Sequence, residues 1–244
     1  LCAVIANGTD LPHQEELVQA LRRAEPDLAG VVLSVNQEKT NVILGKTHRC
    51  LWGRDYLEDT LCGLTFRLSV PSFYQVNREQ AEVLYGRALA FAGLTGRETV
   101  LDLYCGIGTI SLFHAQKAKQ VYGVEIVPPA IADAKDNARR NGIQNAEFYV
   151  GKAEEILPHK YETENVKADV IVVDPPRKGC DEALLETIVK MQPERVVYVS
   201  CDSATLARDL KYLTANGYKA ERLATVDMFP MTVHVESAVK LVRE

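Results

Sequence analysis

The chain has 244 residues, of which 47% are hydrophobic and 25% charged, a balance that is ordinary for a globular protein. Its net charge of −5 argues against a large, sequence-independent surface for nucleic-acid phosphates on this part of the protein. No apolar run approaches the roughly 18 residues that cross a bilayer, and no signal-peptide pattern begins the chain. We therefore expect a cytoplasmic protein without a membrane partner, and nothing in the sequence indicates a protein partner.

Residues 1–74 are predicted to form a small α/β subdomain. In chain order it contains a strand at 3–6, a helix at 11–23 and short strands at 31–35, 41–44, 49–52, 56–61 and 65–70. The β-branched runs at 31–35 and 41–44 are separated by a polar stretch, a pattern typical of a β-hairpin.

From Gln75 onwards, helical and strand patterns alternate. Helices are predicted at 75–91, 109–118, 128–141, 153–157, 181–190 and 203–216, and strands at 99–103, 120–125, 146–150, 169–173, 195–200, 218–226 and 237–242. This alternation predicts a largely parallel, Rossmann-like sheet with helices on both faces. The last two strands have no helix between them, which predicts a terminal antiparallel hairpin. We therefore expect an α/β fold with a second domain at 75–244.

The six cysteines do not form a recognisable metal or disulfide framework. No two of them are spaced as C-x-x-C, and their positions are Cys2, Cys50, Cys62, Cys105, Cys180 and Cys201. A chain of this size without an export signal is not expected to carry structural disulfides. No metal site is therefore predicted in these residues.

A glycine turn follows the first strand of the alternating region. Asp102, Gly106 and Gly108 form a D-x-x-x-G-x-G pattern that opens a helix at Thr109, a turn typical of S-adenosylmethionine enzymes. Glu125 ends the next strand, where an acidic residue accepts hydrogen bonds from the ribose hydroxyls of an adenosine ligand. The alternative is an ordinary tight turn beside an exposed glutamate.

The strand at 169–173 runs into Asp174, Pro175 and Pro176. Two prolines cannot continue a sheet ladder, so they make a stiff corner that fixes the position of Asp174. In methyltransferases this corner faces the group that receives the methyl. Enzymes that methylate adenine or cytosine amino groups usually carry an aromatic residue next, and Arg177 stands there instead.

Cys201 follows a buried-strand pattern, and Glu236 precedes the last predicted strand. C5 of uracil becomes nucleophilic when a thiolate adds to C6, and a base must then remove the C5 proton so that the thiol can leave. Cys201 and Glu236 are the candidates for these two roles. A helix starting near Ser203 and the charge of Arg177 are expected to lower the Cys201 pKa. Each residue alone also fits an ordinary role, as a core cysteine or a solvated carboxylate.

Taken together, five stretches resemble the RNA uracil-5-methyltransferase family, whose members make 5-methyluridine in ribosomal or transfer RNA. The matching stretches are 72–77, 101–109, 174–179, 199–206 and 227–236, and the segment 40–45 is also similar. The resemblance implies a Rossmann-like class I methyltransferase fold, S-adenosylmethionine as cofactor and RNA as partner. Ribosomal RNA, 23S in particular, is the expected substrate.

The resemblance also assigns roles to single residues. Cys201 corresponds to the nucleophile and Glu236 to the base, while Tyr104 and Glu125 would hold the adenosine and ribose end of the cofactor. Gln75 and Asp174 would lie nearer the reacting groups. Asp102, Gly106, Gly108 and Thr109 complete the expected cofactor site. Family members usually carry an N-terminal β-barrel, and many hold an iron–sulfur cluster, so we expect this chain to be a C-terminal portion.

Three alternatives remain open from the sequence. The enzyme could act on transfer RNA with the same chemistry. A small-molecule methyltransferase would turn over without RNA and be indifferent to Cys201→Ala. A non-catalytic RNA-binding module would bind no S-adenosylmethionine, or bind it without methyl transfer.

Overall fold

The computed structural model describes residues 1–39, 42–157 and 167–244. Its contacts divide the chain into two compact units: Leu1–Asp59 with Arg67–Phe73, and Thr60–Phe66 with Tyr74–Glu244. The sequence-based border between two functional domains after residue 74 stays a prediction.

The first unit contains a three-stranded sheet. Its elements are β1 (Cys2–Ala6), α1 (Gln14–Ala24), β2 (Gly30–Val35) and β3 (Thr47–Gly53). The central strand β2 pairs parallel with β1, and α1 forms the crossover between them. On its other edge β2 pairs antiparallel with β3.

The predicted hairpin between 31–35 and 41–44 is wrong in its second strand. Residues 42–44 form no strand, and Val42 and Ile43 are 58% and 71% exposed; residues 40 and 41 lie outside the described part of the chain. The Asn36 side-chain amide donates to the backbone carbonyls of Val42 (2.7 Å) and Ile43 (2.9 Å). These bonds occupy carbonyl oxygens that a strand would use for its ladder.

A short hairpin follows, made of β4 (Tyr56–Leu61) and β5 (Leu64–Ser69). The second unit then forms a seven-stranded sheet. Its strands are β6 (Thr99–Leu103), β7 (Gln120–Glu125), β8 (Ala146–Val150), β9 (Val170–Val173), β10 (Arg195–Ser200), β11 (Tyr218–Val226) and β12 (Glu236–Arg243). The spatial order is β11-β12-β10-β9-β6-β7-β8.

Five strands of this sheet, β10, β9, β6, β7 and β8, are parallel. The last strand, β12, lies antiparallel between β10 and β11. The predicted terminal hairpin is therefore present, and its second strand is inserted next to the parallel part of the sheet.

The helices of the second unit agree with the predicted ones to within a few residues. They are α2 (Arg78–Ala92), α3 (Thr109–Ala115), α4 (Pro128–Arg140), α5 (Glu182–Met191) and α6 (Ser203–Ala215), with a helical segment at 153–157. Helix α2 begins later than predicted, because the Asn77 side chain caps it by accepting from the Gln80 N–H, so Gln75 lies in the preceding loop. Among the described residues, no helix has the length and apolarity needed to cross a bilayer.

The central strands carry the core of the second unit. All four residues of β9 and the residues 196–199 of β10 are fully buried, because helices cover both faces of a parallel sheet. Such strands appear in the sequence as continuous β-branched runs, which is why their bounds could be predicted. Their parallel direction places the loops after β6, β7, β9 and β10 along one edge, where ligands bind in open α/β sheets.

Candidate active site

Cys201 and Glu236 meet at this edge through the register of two neighbouring strands. Ser200, the last residue of β10, pairs with Ser237 of β12. Continuing this antiparallel register by one residue places Cys201 opposite Glu236. The sequence predicted both residues, but only the insertion of β12 beside β10 brings them together.

Burial and neighbouring charge decide the acidity of this pair. Burial foremost, and then the charges of Glu236 and Asp174, raise the pKa of the half-buried Cys201 thiol, while the charge of Arg177 opposes them. The expected effect of Arg177 therefore has the right sign, but the expected net lowering of the thiol pKa is wrong. Glu236 is only 5% exposed, so it is not a solvated carboxylate; burial raises its pKa and Arg177 lowers it.

Asp174 is the second carboxyl of the cluster around Cys201. It follows β9 directly, and its backbone N–H donates to the carbonyl of Leu103 at the end of β6 (3.4 Å). Desolvation foremost, with the charge of Glu236 added, raises the pKa of the Asp174 carboxyl to about 7. The raised pKa allows this carboxyl to carry a proton near neutral pH and to act as a hydrogen-bond donor.

The glycine turn has the backbone that its pattern predicts. Gly106 (φ 54°) and Gly108 (φ 85°) both adopt the left-handed region. A Cβ added at Gly108 would lie 3.1 Å from the Phe148 ring, whereas one at Gly106 would meet nothing within 4 Å. Gly108 therefore serves packing, while Gly106 leaves open space above the turn.

Glu125 at the end of β7 is fixed by the backbone. One carboxylate oxygen accepts from the N–H of Gly106 (3.2 Å) and the other from the N–H of Val127 (2.9 Å). Each carboxylate oxygen has a second lone pair, so the side chain remains able to accept further hydrogen bonds. This arrangement suits a ligand that presents two neighbouring hydroxyl groups.

Three buried polar atoms of the predicted cofactor residues have no hydrogen-bond partner among the described residues: Gln75 Oε1, Asp102 Oδ1 and Tyr104 Oη. Buried polar atoms are rarely left without a partner, so these atoms fit a ligand rich in amino and hydroxyl groups. Asp102 is also bonded by the Ser111 hydroxyl on α3. Burial raises the Asp102 pKa to about 7, with the Ser111 hydrogen bond opposing and the charge of Asp174 adding to the shift.

The helix after Cys201 begins as predicted. Asp202 caps α6, because its side chain accepts from the backbone N–H groups of Ala204 (3.0 Å) and Thr205 (2.9 Å). The Ser200 hydroxyl accepts from the Asp202 N–H (3.1 Å). Cys201 therefore lies in a turn whose two flanking residues, Ser200 and Asp202, are both fixed by hydrogen bonds.

The sequence analysis missed a buried acid, Asp209 of α6, which is 0% exposed. Its carboxylate accepts from the Tyr198 hydroxyl (2.6 Å), the Cys180 N–H (2.8 Å) and the guanidinium of Arg208 (2.7 Å). Arg208 in turn donates to the carbonyls of Lys178 (2.9 Å) and Cys180 (3.2 Å). We call these five residues the Asp209 clamp; the available signal was a charged residue on the apolar face of α6.

The clamp holds the loop between Asp174 and α5 against the helix that follows Cys201. The Thr205 hydroxyl adds a hydrogen bond to the carbonyl of Arg177 (3.1 Å). Gly179 is required in this loop, because its φ is 77° and an added Cβ would lie 2.5 Å from Arg208 and 2.7 Å from Asp209. The positions of Arg177 and of Cys201 are thereby linked.

No group of three or more His, Cys, Asp or Glu side chains that could hold a metal ion occurs within residues 1–39, 42–157 and 167–244. The cluster at the edge of the sheet consists of the Cys201 thiol, the two carboxyls of Glu236 and Asp174 and the Arg177 guanidinium, and it lies at the same edge as the glycine turn. A family model described as tRNA (Uracil-5-)-methyltransferase matches residues 15–244. The chain belongs to this family.

The relatives that this chain matches are longer than it is. A protein of Halalkalibacterium halodurans named as an uncharacterized RNA methyltransferase is 56% identical over 241 residues, covering 99% of this chain and 52% of that protein. One of the same description from Clostridium acetobutylicum is 49% identical over 243 residues, covering 100% of this chain and 53% of that protein. The chain spans about half the length of the curated relatives it matches.

A solved structure gives the same fold. The crystal structure of the Pyrococcus abyssi tRNA (uracil-54, C5)-methyltransferase in complex with S-adenosyl-L-homocysteine has a TM-score of 0.80 and 30% sequence identity. The match covers 98% of this chain and 55% of that chain. It confirms the predicted Rossmann-like class I methyltransferase fold.

Proposed function

We propose that this chain is the methyl-transferring portion of an enzyme that uses S-adenosylmethionine to methylate C5 of a uridine in RNA. The observation that carries the proposal is the strand register that sets Cys201 opposite Glu236. The relatives named as RNA methyltransferases and the bound S-adenosyl-L-homocysteine of the Pyrococcus abyssi enzyme support it.

The cofactor would lie over the glycine turn. Glu125 would accept from its ribose hydroxyls, and the unpartnered atoms of Gln75, Asp102 and Tyr104 would receive its amino and hydroxyl groups. Gly106 leaves the space that the backbone needs for close approach. S-adenosylmethionine, when bound, would supply the electrophilic methyl group that C5 accepts, with S-adenosylhomocysteine as the leaving group.

Cys201 would act as the nucleophile and Glu236 as the base on the uracil ring. The Cys201 thiol would lose its proton to solvent, and the sulfur would bond to C6 while the C5–C6 double bond breaks, so that its electron pair makes C5 a nucleophile. Once C5 carries the methyl group, the Glu236 carboxylate takes the C5 proton. The C–H electron pair then forms the C5–C6 double bond, and the C6–sulfur bond breaks to release Cys201 as thiolate.

The neighbouring charged groups would set the protonation states of Cys201, Glu236 and Asp174 during these steps. Arg177 favours the ionised forms of both Cys201 and Glu236, and the Asp209 clamp fixes the loop on which it lies. Asp174 would donate a hydrogen bond to the base or to the developing enolate oxygen when protonated, because its pKa is raised to about 7.

Ribosomal RNA remains the expected substrate class, on the sequence motifs. Transfer RNA is the second candidate, since the family description and the Pyrococcus abyssi enzyme both name it. The test incubates the protein with radiolabelled S-adenosylmethionine and either unmodified ribosomal RNA or unmodified transfer RNA, followed by nucleoside analysis. We expect label in 5-methyluridine from ribosomal RNA.

Each other result has a definite meaning. Label only in transfer RNA would replace the substrate class and keep the reaction. Transfer to metabolites without RNA, unaffected by Cys201→Ala, would establish a small-molecule enzyme. Cofactor binding by calorimetry without any transfer would indicate a non-catalytic module, and label at any atom other than pyrimidine C5 would overturn the proposal.

A further inference from the structure

The first unit has an open cavity of about 590 Å³, and none of its lining residues has a role in the proposed reaction. Its lining comes from the C-terminal half of α1, the residues after it and β3: Gln19, Arg22, Arg23, Glu25, Pro26 and Trp52. Small-ligand sites have volumes of roughly 300–1,000 Å³, so one nucleotide fits this space.

An indole ring and a guanidinium group form a stacked pair in this cavity. The guanidinium carbon of Arg22 lies 4.3 Å from the centroid of the Trp52 ring. Trp52 is half-buried and is the one tryptophan of the chain. Both groups are planar, and both are surfaces on which nucleic-acid bases stack.

The two arginines of the cavity have no acidic partner in the part of the chain that the structure describes. Within the described residues, neither Arg22 nor Arg23 has an ion pair or a side-chain hydrogen bond, although both are exposed. Arg54 and Arg67 of the same unit are paired with Glu58 (3.7 Å) and Asp55 (3.3 Å). The lining carries the positive charges of Arg22 and Arg23 against the single negative charge of Glu25, and this excess of positive charge complements an anion such as a phosphate.

We propose that this cavity binds one nucleotide of a single-stranded segment of the RNA substrate, at a site separate from the reacting uridine. The base stacks on the Trp52–Arg22 pair, and Arg23 contacts the phosphate. Gln19 and Glu25 at the rim supply hydrogen-bonding groups for the base edge. The choice of RNA as the ligand rests on the proposed function.

The combination of groups distinguishes a nucleotide from an acidic peptide. A carboxylate would use the arginine charges but has no flat face for the indole ring. A nucleotide uses both, because every base has an aromatic face and every linkage a phosphate. A site of this kind tolerates different bases, so it adds affinity more than sequence preference.

Trp52 itself reports binding, since tryptophan emission comes from this residue alone. The 244-residue chain is titrated with single-stranded RNA that contains the methylated segment, and fluorescence and anisotropy of labelled RNA are followed together. We expect quenching of Trp52 with the same midpoint as the anisotropy change. Uridine monophosphate should quench only weakly, because it lacks the neighbouring nucleotides that bind elsewhere.

Variants test the two parts of the site. Trp52→Ala should weaken RNA binding roughly 5- to 150-fold, as loss of one stacked base does, and raise KM for RNA without changing kcat. Trp52→Phe should retain most of the affinity. Arg23→Gln should lower the salt dependence of binding by about one phosphate contact. Lys39→Gln, which removes one positive charge outside the cavity, is the matched control and should change neither affinity nor the pattern of quenching.

The failure of this inference can be told apart from failure of the proposed reaction. Wild type that methylates RNA while Trp52 emission stays unchanged, or Arg23→Gln and Trp52→Ala that bind RNA like wild type, would overturn the nucleotide site alone. Quenching by uridine monophosphate that RNA cannot displace would also overturn it. Arg23 is exposed and unpaired, so its substitution tests the site even if Trp52→Ala disturbs folding.

Discussion

At the scale of single residues, burial raises the pKa values of both Cys201 and Glu236, the proposed nucleophile and the proposed base. Burial and the negative charges of Glu236 and Asp174 raise the pKa of the Cys201 thiol, while a backbone hydrogen bond and the charge of Arg177 oppose them. A thiolate in this position is scarce near neutral pH and reactive once formed, because the nucleophilicity of a thiolate rises with its pKa. The first chemical step should therefore depend on pH.

We expect adduct formation between Cys201 and 5-fluorouridine RNA to accelerate about tenfold per pH unit between about pH 7 and pH 9, because the thiolate fraction rises with slope one below the thiol pKa. The rate is measured by denaturing gel electrophoresis at several pH values. Arg177→Ala should slow the reaction at each pH, since it removes the charge that lowers the pKa. Lys178→Ala on the same loop is the control, and a plateau already reached below pH 7 would refute the expectation.

Removal of the base should separate adduct formation from release. Glu236→Gln is expected to form the Cys201–RNA adduct and to retain it, because the amide cannot take the C5 proton. Loss of the negative charge also removes one cause of the raised Cys201 pKa, so formation itself should not slow. The adduct is detected on a denaturing gel with ordinary uridine RNA.

Two variants accompany this experiment. Cys201→Ala should give no adduct at all. Glu221→Gln, which changes an exposed carboxylate of β11 paired with Lys240, should release product like wild type. A Glu236→Gln protein that turns over normally would exclude Glu236 as the base.

At the scale of secondary-structure elements, the site depends on how the loop after β9 is attached to α6. The clamp carboxylate of Asp209 is buried, whereas its partner Arg208 keeps 56% of its side-chain surface exposed. The bonds to Tyr198 and to the Cys180 N–H are the ones shielded from water. They connect β10, α6 and the loop that carries Arg177, and so support the residues proposed to react.

Asp209→Asn should lower the free energy of unfolding by about 1.5–3 kcal/mol, because it removes the charged acceptor of several hydrogen bonds at a buried position. Urea denaturation measures the change. Asp181→Asn, at a half-exposed position paired with Lys178, is the matched control and should stay within about 0.5 kcal/mol of wild type. Equal effects of the two substitutions would show that the clamp contributes nothing beyond a surface ion pair.

At the scale of the whole molecule, the buried acids couple stability to pH. Asp102 and Asp174 have pKa values of about 7 in the folded chain, above the roughly 3.9 of an unfolded aspartate. Folding favours the protonated forms of both carboxyls. Their contribution to the free energy of unfolding is therefore fully present below about pH 4 and is lost as the pH rises through about 7. Above about pH 7, the ionised carboxyls of Asp102 and Asp174 therefore lower the stability of the folded chain.

Asp102→Asn is expected to gain stability relative to wild type by roughly 2–4 kcal/mol between pH 4 and pH 8, because the amide remains neutral where the carboxyl ionises. Urea denaturation across this range measures the difference. Ser111→Ala should extend the pH-dependent range upwards, since it removes the hydrogen bond that opposes the shift. Parallel pH curves for Asp102→Asn and wild type would contradict a raised pKa.

Most elements of the second unit could be predicted from the sequence, because their signals are local. Buried parallel strands such as β10 appear in the sequence as apolar runs rich in β-branched residues. The two glycines of the glycine turn likewise predict its left-handed backbone conformation. Asn36 shows the limit of such signals: its amide takes the carbonyls of a β-branched segment that was expected to pair with β2. A side chain that hydrogen-bonds the backbone in place of a neighbouring strand does not change the hydrophobic pattern of the sequence.

The sequence by itself therefore determined the fold class, the strand and helix order, and the residues that are candidates for the chemistry. Only the tertiary structure decided that β12 inserts beside β10, so that Glu236 reaches Cys201, and that Asp209 supports the neighbouring loop. The tertiary structure also decided that the pKa of the Cys201 thiol is raised and not lowered. Strand order and desolvation depend on segments far apart in the chain, whereas sequence patterns record only the preferences of neighbouring residues.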